Sequence, residues 1–195
     1  MHCLAEHKKI IIVGIPGVGK SAVVTKVEEI LKEKNKTVSV KSFGTIMLEQ
    51  SSENGIHDRD ELRKASVETQ HKLQILAAKA IGEIKDEVVI IDTHAFISTT
   101  EGFYPGLPKH VLEQIKPTNF IVVSARSEEI YNRRMKDKTR NRDIISIDTI
   151  KKELAVQDAM LSSCSVLTGA PMKLVLNSEG KIEETAKSVI HAIGL

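Results

Sequence analysis

The chain has 195 residues, 41% of them hydrophobic and 28% charged, with a formal net charge of +2. That length supports one well-buried core and is short for two full domains, while the composition argues against disorder and the near-neutral charge gives no reason to expect nucleic acid or an anionic membrane as the partner. Cys3 and Cys164 lie far apart without metal-ligand spacing, so both are expected to be reduced thiols in a cytoplasmic protein. The first residues hold no long apolar core, so no secretory signal is expected, and no stretch approaches the roughly 20 apolar residues of a membrane span.

Taken in order, the chain opens with an apolar, β-branched run at 10–13 that breaks into Gly-Ile-Pro-Gly-Val-Gly-Lys-Ser at 14–21. A strand and then a helix are predicted on either side of this turn. It spells G-x-x-x-x-G-K-[ST] through Gly14, Gly19, Lys20 and Ser21, the phosphate-binding loop, in the structural setting that motif requires. Glycines let the backbone curl so that its N–H groups point inward at the start of a helix, where anions are favoured. Lys20 can then reach the β and γ phosphates, and the Ser21 hydroxyl is placed to ligate Mg²⁺. Pro16 stiffens the loop between its glycines.

The following helix runs to about residue 34, with Val23, Val27, Ile30 and Leu31 on one face. Residues 37–43 alternate like a strand, 44–51 form a short helix, Asn54-Gly55 marks a turn, and a long helix is predicted over 58–84 from its acidic start and recurring leucines and alanines. Residues 87–92, Glu-Val-Val-Ile-Ile-Asp, read as a central parallel strand ended by Asp92. A long connection over 93–109 follows, of a length that is more often functional than idle. Strands at 119–124 and 173–177 and helices at 128–136, 147–168 and 182–193 complete the chain. Five strands interleaved with helices predict one doubly wound α/β domain over 1–195, its parallel sheet five-stranded and its ligands at the C-terminal strand edge.

A phosphate loop leaves GTPases, motor-type ATPases and small-molecule kinases open. Asp92-Thr93-His94-Ala95 lacks the glycine of the GTPase D-x-x-G, and no Asn-Lys-x-Asp occurs. Asp92 suits the second Mg²⁺ position, an acid at the end of an apolar strand near the loop. Residues 126–142 carry seven Lys/Arg against three acids. Transfer between two phosphate groups gathers negative charge that bidentate arginines offset best, and Arg133, Arg140 and Arg142 flank a helix end able to fold over a nucleotide.

Gly-Ile-Pro-Gly-Val-Gly-Lys-Ser at 14–21, Asp-Arg-Asp-Glu-Leu-Arg-Lys at 58–64, Asp-Thr-His at 92–94, Gly-Phe-Tyr-Pro-Gly-Leu-Pro at 102–108 and Thr-Arg-Asn-Arg at 139–142 together resemble the archaeal type of adenylate kinase. The likeness runs from Lys8 onward and implies reversible transfer of the terminal phosphate of ATP to AMP, giving two ADP, with Mg²⁺. It implies that Gly14, Ile15, Pro16, Gly17, Val18, Gly19, Lys20, Ser21 and Ala22 hold the ATP phosphates and that Arg133 lies near the adenine. It further implies that Arg140 and Arg142 clamp the transferring phosphate, and that Arg63 grips the AMP phosphate while Thr45 and Gly106 line the AMP pocket. A helical AMP-binding insertion at 44–84, a short lid at 134–143 and a homotrimer come with the same likeness. Two departures stand out: Ala22 replaces a threonine common in the family, and no Cys-x-x-Cys marks a zinc-bearing lid between 110 and 150.

Two other functions fit the same residues: a kinase for a different nucleoside monophosphate, since base choice rests on a few pocket contacts, and an assembly factor that uses ATP as a switch. The helix at 147–168 carries Ile147, Ile150, Leu154, Leu161 and Cys164 on one stripe, with Val156, Ala159, Met160, Val166 and Leu167 beyond it. That excess predicts either a partner copy or cover from the inserted helix.

Overall fold

A computed structural model describes residues 7–52, 56, 58, 61–62, 65–99, 101–136 and 146–195. Five parallel strands form one sheet: β1 (Lys8–Val13), β2 (Val38–Ser42), β3 (Val88–Asp92), β6 (Asn119–Ser124) and β7 (Met172–Leu176), in the order β2-β3-β1-β6-β7. Strands β1, β3 and β6 occupy the middle and are buried almost throughout, which is why they read as unbroken apolar runs, whereas the edge strands β2 and β7 stay partly exposed.

Alternate side chains of the central strands feed two cores. Ile10 and Ile12 pack with helices α1 (Lys20–Glu33) and α7 (Ile182–Ala192) through Val23, Val27, Ala186 and Val189. Ile11 and Val13 face the opposite way, toward α2 (Phe43–Ser51), α3 (Val67–Gly82), α4 (Lys109–Ile115) and α6 (Ile147–Thr168). Helix α5 (Ser127–Lys136) packs on α6, with Ile130 in the first of these cores. The result is the doubly wound α/β sheet that the sequence predicts.

Two elements differ from expectation. The helix predicted over 58–84 is not continuous: a short turn is capped by Asp58, whose side chain accepts from the Glu61 N–H at 2.8 Å, and α3 starts afresh at Val67. Ser66 caps that start by accepting from the Thr69 N–H at 3.1 Å. Two good N-cap residues eight positions apart each favour starting a helix over continuing one.

The connection predicted over 93–109 holds a hairpin of β4 (Phe96–Thr99) and β5 (Gly102–Pro105), paired antiparallel, and α4 follows from Lys109 where no helix is predicted. Its glycines and prolines are turn punctuation around short elements: Gly102 takes φ 139 at the hairpin tip, and Pro108 stands as the N-cap of α4.

Candidate active site

Strand β1 delivers the glycine loop to the C-terminal edge of the sheet. Ile12 pairs with Asp92 across the β1–β3 ladder and the Thr93 N–H donates to the Ile12 carbonyl at 3.2 Å, so the end of β3 lies against the start of the loop. Ile15 and Val18 are buried and anchor the loop in the core, while Pro16 is exposed. Gly14 is required by close approach, since a Cβ there would meet Val18 Cγ2 at 2.7 Å and the Val123 carbonyl at 3.0 Å. Gly17 and Gly19 take φ 93 and 83, the left-handed region, and Gly19 is the N-cap of α1. The unpaired N–H groups of the first helical turn therefore open onto the loop.

Lys20 is the first residue of α1, only 9% exposed, and its ammonium donates to the Asp92 carboxylate in an ion pair. Burial pushes the Lys20 ammonium down to about 8, and the opposite charge of Asp92 is what favours keeping its proton. The Asp92 side chain is 26% exposed, and Ser21 and Ala22 lie exposed on the same helical turn. Mg²⁺ ordinarily takes one or two protein oxygens and completes its shell with phosphates and water, and the exposed hydroxyl that follows Lys20 in the chain, with the partly exposed carboxylate that Lys20 pairs with, fits that donor set.

The back of the loop is tied down by side chains from distant elements. Arg133 donates through Nη1 to the carbonyls of Gly17 and Val18 at 3.3 and 3.2 Å, and through Nη2 to the Asn177 carbonyl at 3.1 Å. Arg134 Nε donates to the Pro16 carbonyl at 2.7 Å, and its Nη2 pairs with Glu153 on α6 at 2.7 Å. Asn177, buried just past β7, donates from Nδ2 to the Val18 carbonyl at 2.8 Å. In the sequence Arg134 is one member of the basic run at 126–142, and nothing local marks Asn177 or Glu153. The contact between Asn177 and Val18 spans 159 residues, and no local pattern carries it.

The structure thus brings together residues 14–22, Asp92 and Arg133. Thr45, in the first turn of α2, follows Ser42, which is in register with Asp92, so it stands at the same sheet edge and lines a cavity of about 440 Å³ with Ser42, Ile46 and Glu49. Gly106 closes the base of the hairpin: its N–H donates to the Ala95 carbonyl at 2.9 Å, and a Cβ at this position would collide with the His94 carbonyl. Arg63, Arg140 and Arg142 lie outside the described residues, as does Cys3. Cys164 is buried, and burial raises its thiol, which keeps it protonated.

The chain is similar to known proteins in sequence and in fold. The model of the AAA domain family matches residues 13–151. The chain is similar to the adenylate kinase of Methanococcus aeolicus, 37% identical over 190 residues that cover 96% of this chain and 98% of that protein. It is also similar to the adenylate kinase of Sulfurisphaera tokodaii, 40% identical over 94% of this chain and 97% of that one. Among solved structures it resembles in fold the shikimate kinase of Acinetobacter baumannii in complex with shikimate, at TM-score 0.59 and 13% identity, over 96% of this chain and 93% of that chain.

Proposed function

The chain belongs to the adenylate kinase family, with 37% and 40% identity to relatives along nearly its whole length, and from that membership we propose which residues carry the transfer and how. It is a phosphotransferase of adenylate kinase function. The terminal phosphate of ATP passes to AMP, giving two ADP. The observation that carries this assignment of residues is Lys20, buried at the start of α1 beside Asp92, at the mouth of a loop whose glycines take the conformation a phosphate nest needs.

The backbone donors of residues 14–22 bind the ATP phosphates, and Lys20 exchanges its partner, leaving Asp92 for phosphate oxygen as the nucleotide enters. Ser21 and Asp92 would hold Mg²⁺, partly through water, and the ion would supply charge neutralisation for the transfer. Transfer between two phosphates is mostly positioning plus electrostatics. Arg140 and Arg142 stabilise the charge of the transferring group from the lid expected at 134–143, whose first three residues belong to α5 and whose Arg134 is tied to Pro16 and Glu153, and Arg133 lies on the ATP side. Arg63 and Thr45 serve the acceptor from the insertion at 44–84, and Gly106 serves it from the base of the hairpin after β3. The position of Thr45 at the sheet edge, beside a cavity, supports that role.

Family membership also supports a cytoplasmic enzyme working as a homotrimer, and among the described residues no helix is long and apolar enough to cross a membrane. The deciding experiment is titration with two adenosines bridged by five phosphates, which needs donor and acceptor sites at once. Tight binding, with AMP preferred over CMP, UMP and GMP in a coupled assay, is expected. A protein that binds ATP but gains nothing from the second adenosine would refute the two-site reading. Arg63→Ala is expected to raise KM for AMP alone, and Arg140→Ala and Arg142→Ala to lower kcat more than they raise either KM.

A further inference from the structure

The donors behind the phosphate loop do more than hold it to the sheet. Among the described residues every peptide bond is trans, and in a planar trans peptide the C=O and the next N–H point in opposite directions. A side chain that fixes the carbonyl of residue i from behind therefore aims the N–H of residue i+1 forward. Arg134 Nε fixes the Pro16 carbonyl at 2.7 Å and so aims the Gly17 N–H, while Asn177 Nδ2 at 2.8 Å, the shorter of two donors beside Arg133 Nη1 at 3.2 Å, fixes the Val18 carbonyl and so aims the Gly19 N–H. The intervening Val18 N–H closes a turn onto the Ile15 carbonyl at 3.3 Å.

These two donors are themselves immobilised. The Arg134 side chain is only 6% exposed and is held by Glu153 of α6 at 2.7 Å. Asn177 is held from its own backbone, whose N–H donates to the Ser124 carbonyl at 2.8 Å and whose carbonyl accepts from Arg133 at 3.1 Å. Its amide also packs directly on Gly19: a Cβ there would sit 2.5 Å from Asn177 Nδ2. A loop with two residues in the left-handed region has no helix or sheet to set its peptide planes, so outside contacts must set them.

We propose that Asn177, Arg134 and Glu153 are positioning residues that preorganise the N–H donors of the phosphate loop for a nucleoside triphosphate, Glu153 acting through Arg134. Preorganised donors bind without a reorganisation cost on ligand entry. The inference rests on the reading that residues 14–22 take the ATP phosphates. Its signature is selectivity for phosphate: the variants lose affinity for the triphosphate chain itself, not for AMP.

The test measures inhibition by inorganic tripolyphosphate, competing with ATP, beside KM for ATP and for AMP. Asn177→Asp keeps the side-chain shape but has no amide donor to give the Val18 carbonyl. Both it and Arg134→Ala are expected to weaken tripolyphosphate and raise KM for ATP by about tenfold, the loss of one charged or buried hydrogen bond, with KM for AMP changed less than twofold. Glu153→Gln should have a smaller effect in the native protein and none in an Arg134→Ala background. A purely structural role would lower the melting temperature and the active fraction while leaving the tripolyphosphate constant of the folded protein unchanged, and that result overturns the proposal. If Asn177→Asp does not fold, Arg134→Ala decides on the same measurements. Lys20→Ala separates the two levels of inference: if it does not weaken tripolyphosphate, the loop is not the triphosphate site. If it does and the positioning variants do not, only the preorganisation is wrong.

Discussion

Lys20 is an ammonium held in a place that disfavours its charge, and the chemistry of the site follows from that. Lys20→Ala is expected to lower the transfer rate roughly 10² to 10³-fold while the fold is kept, because the Ala side chain needs no partner at that position; steady-state rates beside a far-UV spectrum check it. The pH dependence has a definite sign. Essential protonated Lys20 is lost from the free enzyme as pH rises through about 8, so kcat/KM for ATP falls above that pH. Bound phosphates favour the ammonium, so the kcat limb lies at higher pH. Asp92→Asn removes the charge that holds the proton and should move the kcat/KM limb to lower pH, readable in a profile from pH 6 to 10. Stability runs the other way: between about 8 and the ordinary 10.5 the unfolded chain binds the extra proton, so Lys20 makes the ligand-free protein more stable as pH rises through that window.

At the scale of elements, caps and close approaches decide where the chain turns. Ser66 satisfies the Thr69 N–H at the start of α3, and Ser66→Ala is expected to cost about 1 kcal/mol, seen as a lower denaturant midpoint with an unchanged slope. Gly106→Ala has a harsher consequence, because the added methyl would run into the His94 carbonyl. The backbone of residues 94–95 must then move, and this segment follows directly on Asp92. Loss of activity larger than loss of melting temperature is the expected outcome, and equal activity with equal stability would show that the base of the hairpin has room to give. The hairpin itself was hidden in the sequence by Gly102, Pro105 and Pro108, residues that signal a loop locally but here bound two short paired strands.

For the whole molecule, the second apolar set on α6 divides in the structure. Met160 packs against the core formed with α3 and α4, whereas Val166 and Leu167 are 84% and 63% exposed at the end of the helix. Leu167 also lines a groove of about 350 Å³ with Leu112 and Pro117. Helix α4, which contacts α6 and lies outside the insertion at 44–84, thus covers part of the stripe within one chain and leaves the rest to solvent or to another copy. Leu167→Glu is therefore the clean probe of a proposed trimer: it should dissociate the assembly without loss of fold, while Met160→Glu should also destabilise the monomer, since it places a charge against buried apolar surface. Light scattering that finds the native protein monomeric at micromolar concentration would remove the trimer.

What the sequence by itself determined was everything written in local periodicity and spacing. The five strands, the glycine loop between β1 and α1, Asp92 at a strand end and the full length of α6 are all legible because burial and backbone geometry impose patterns over a few neighbouring residues. The five-motif likeness extended this to the family. Tertiary structure alone decided the contacts that join remote residues: Lys20 with Asp92, Arg134 with Pro16 and Glu153, and Asn177 with Val18. Such pairings exist only once a parallel sheet has brought its C-terminal strand ends to one edge, and a hydrogen bond across 159 residues leaves no periodic trace in the chain.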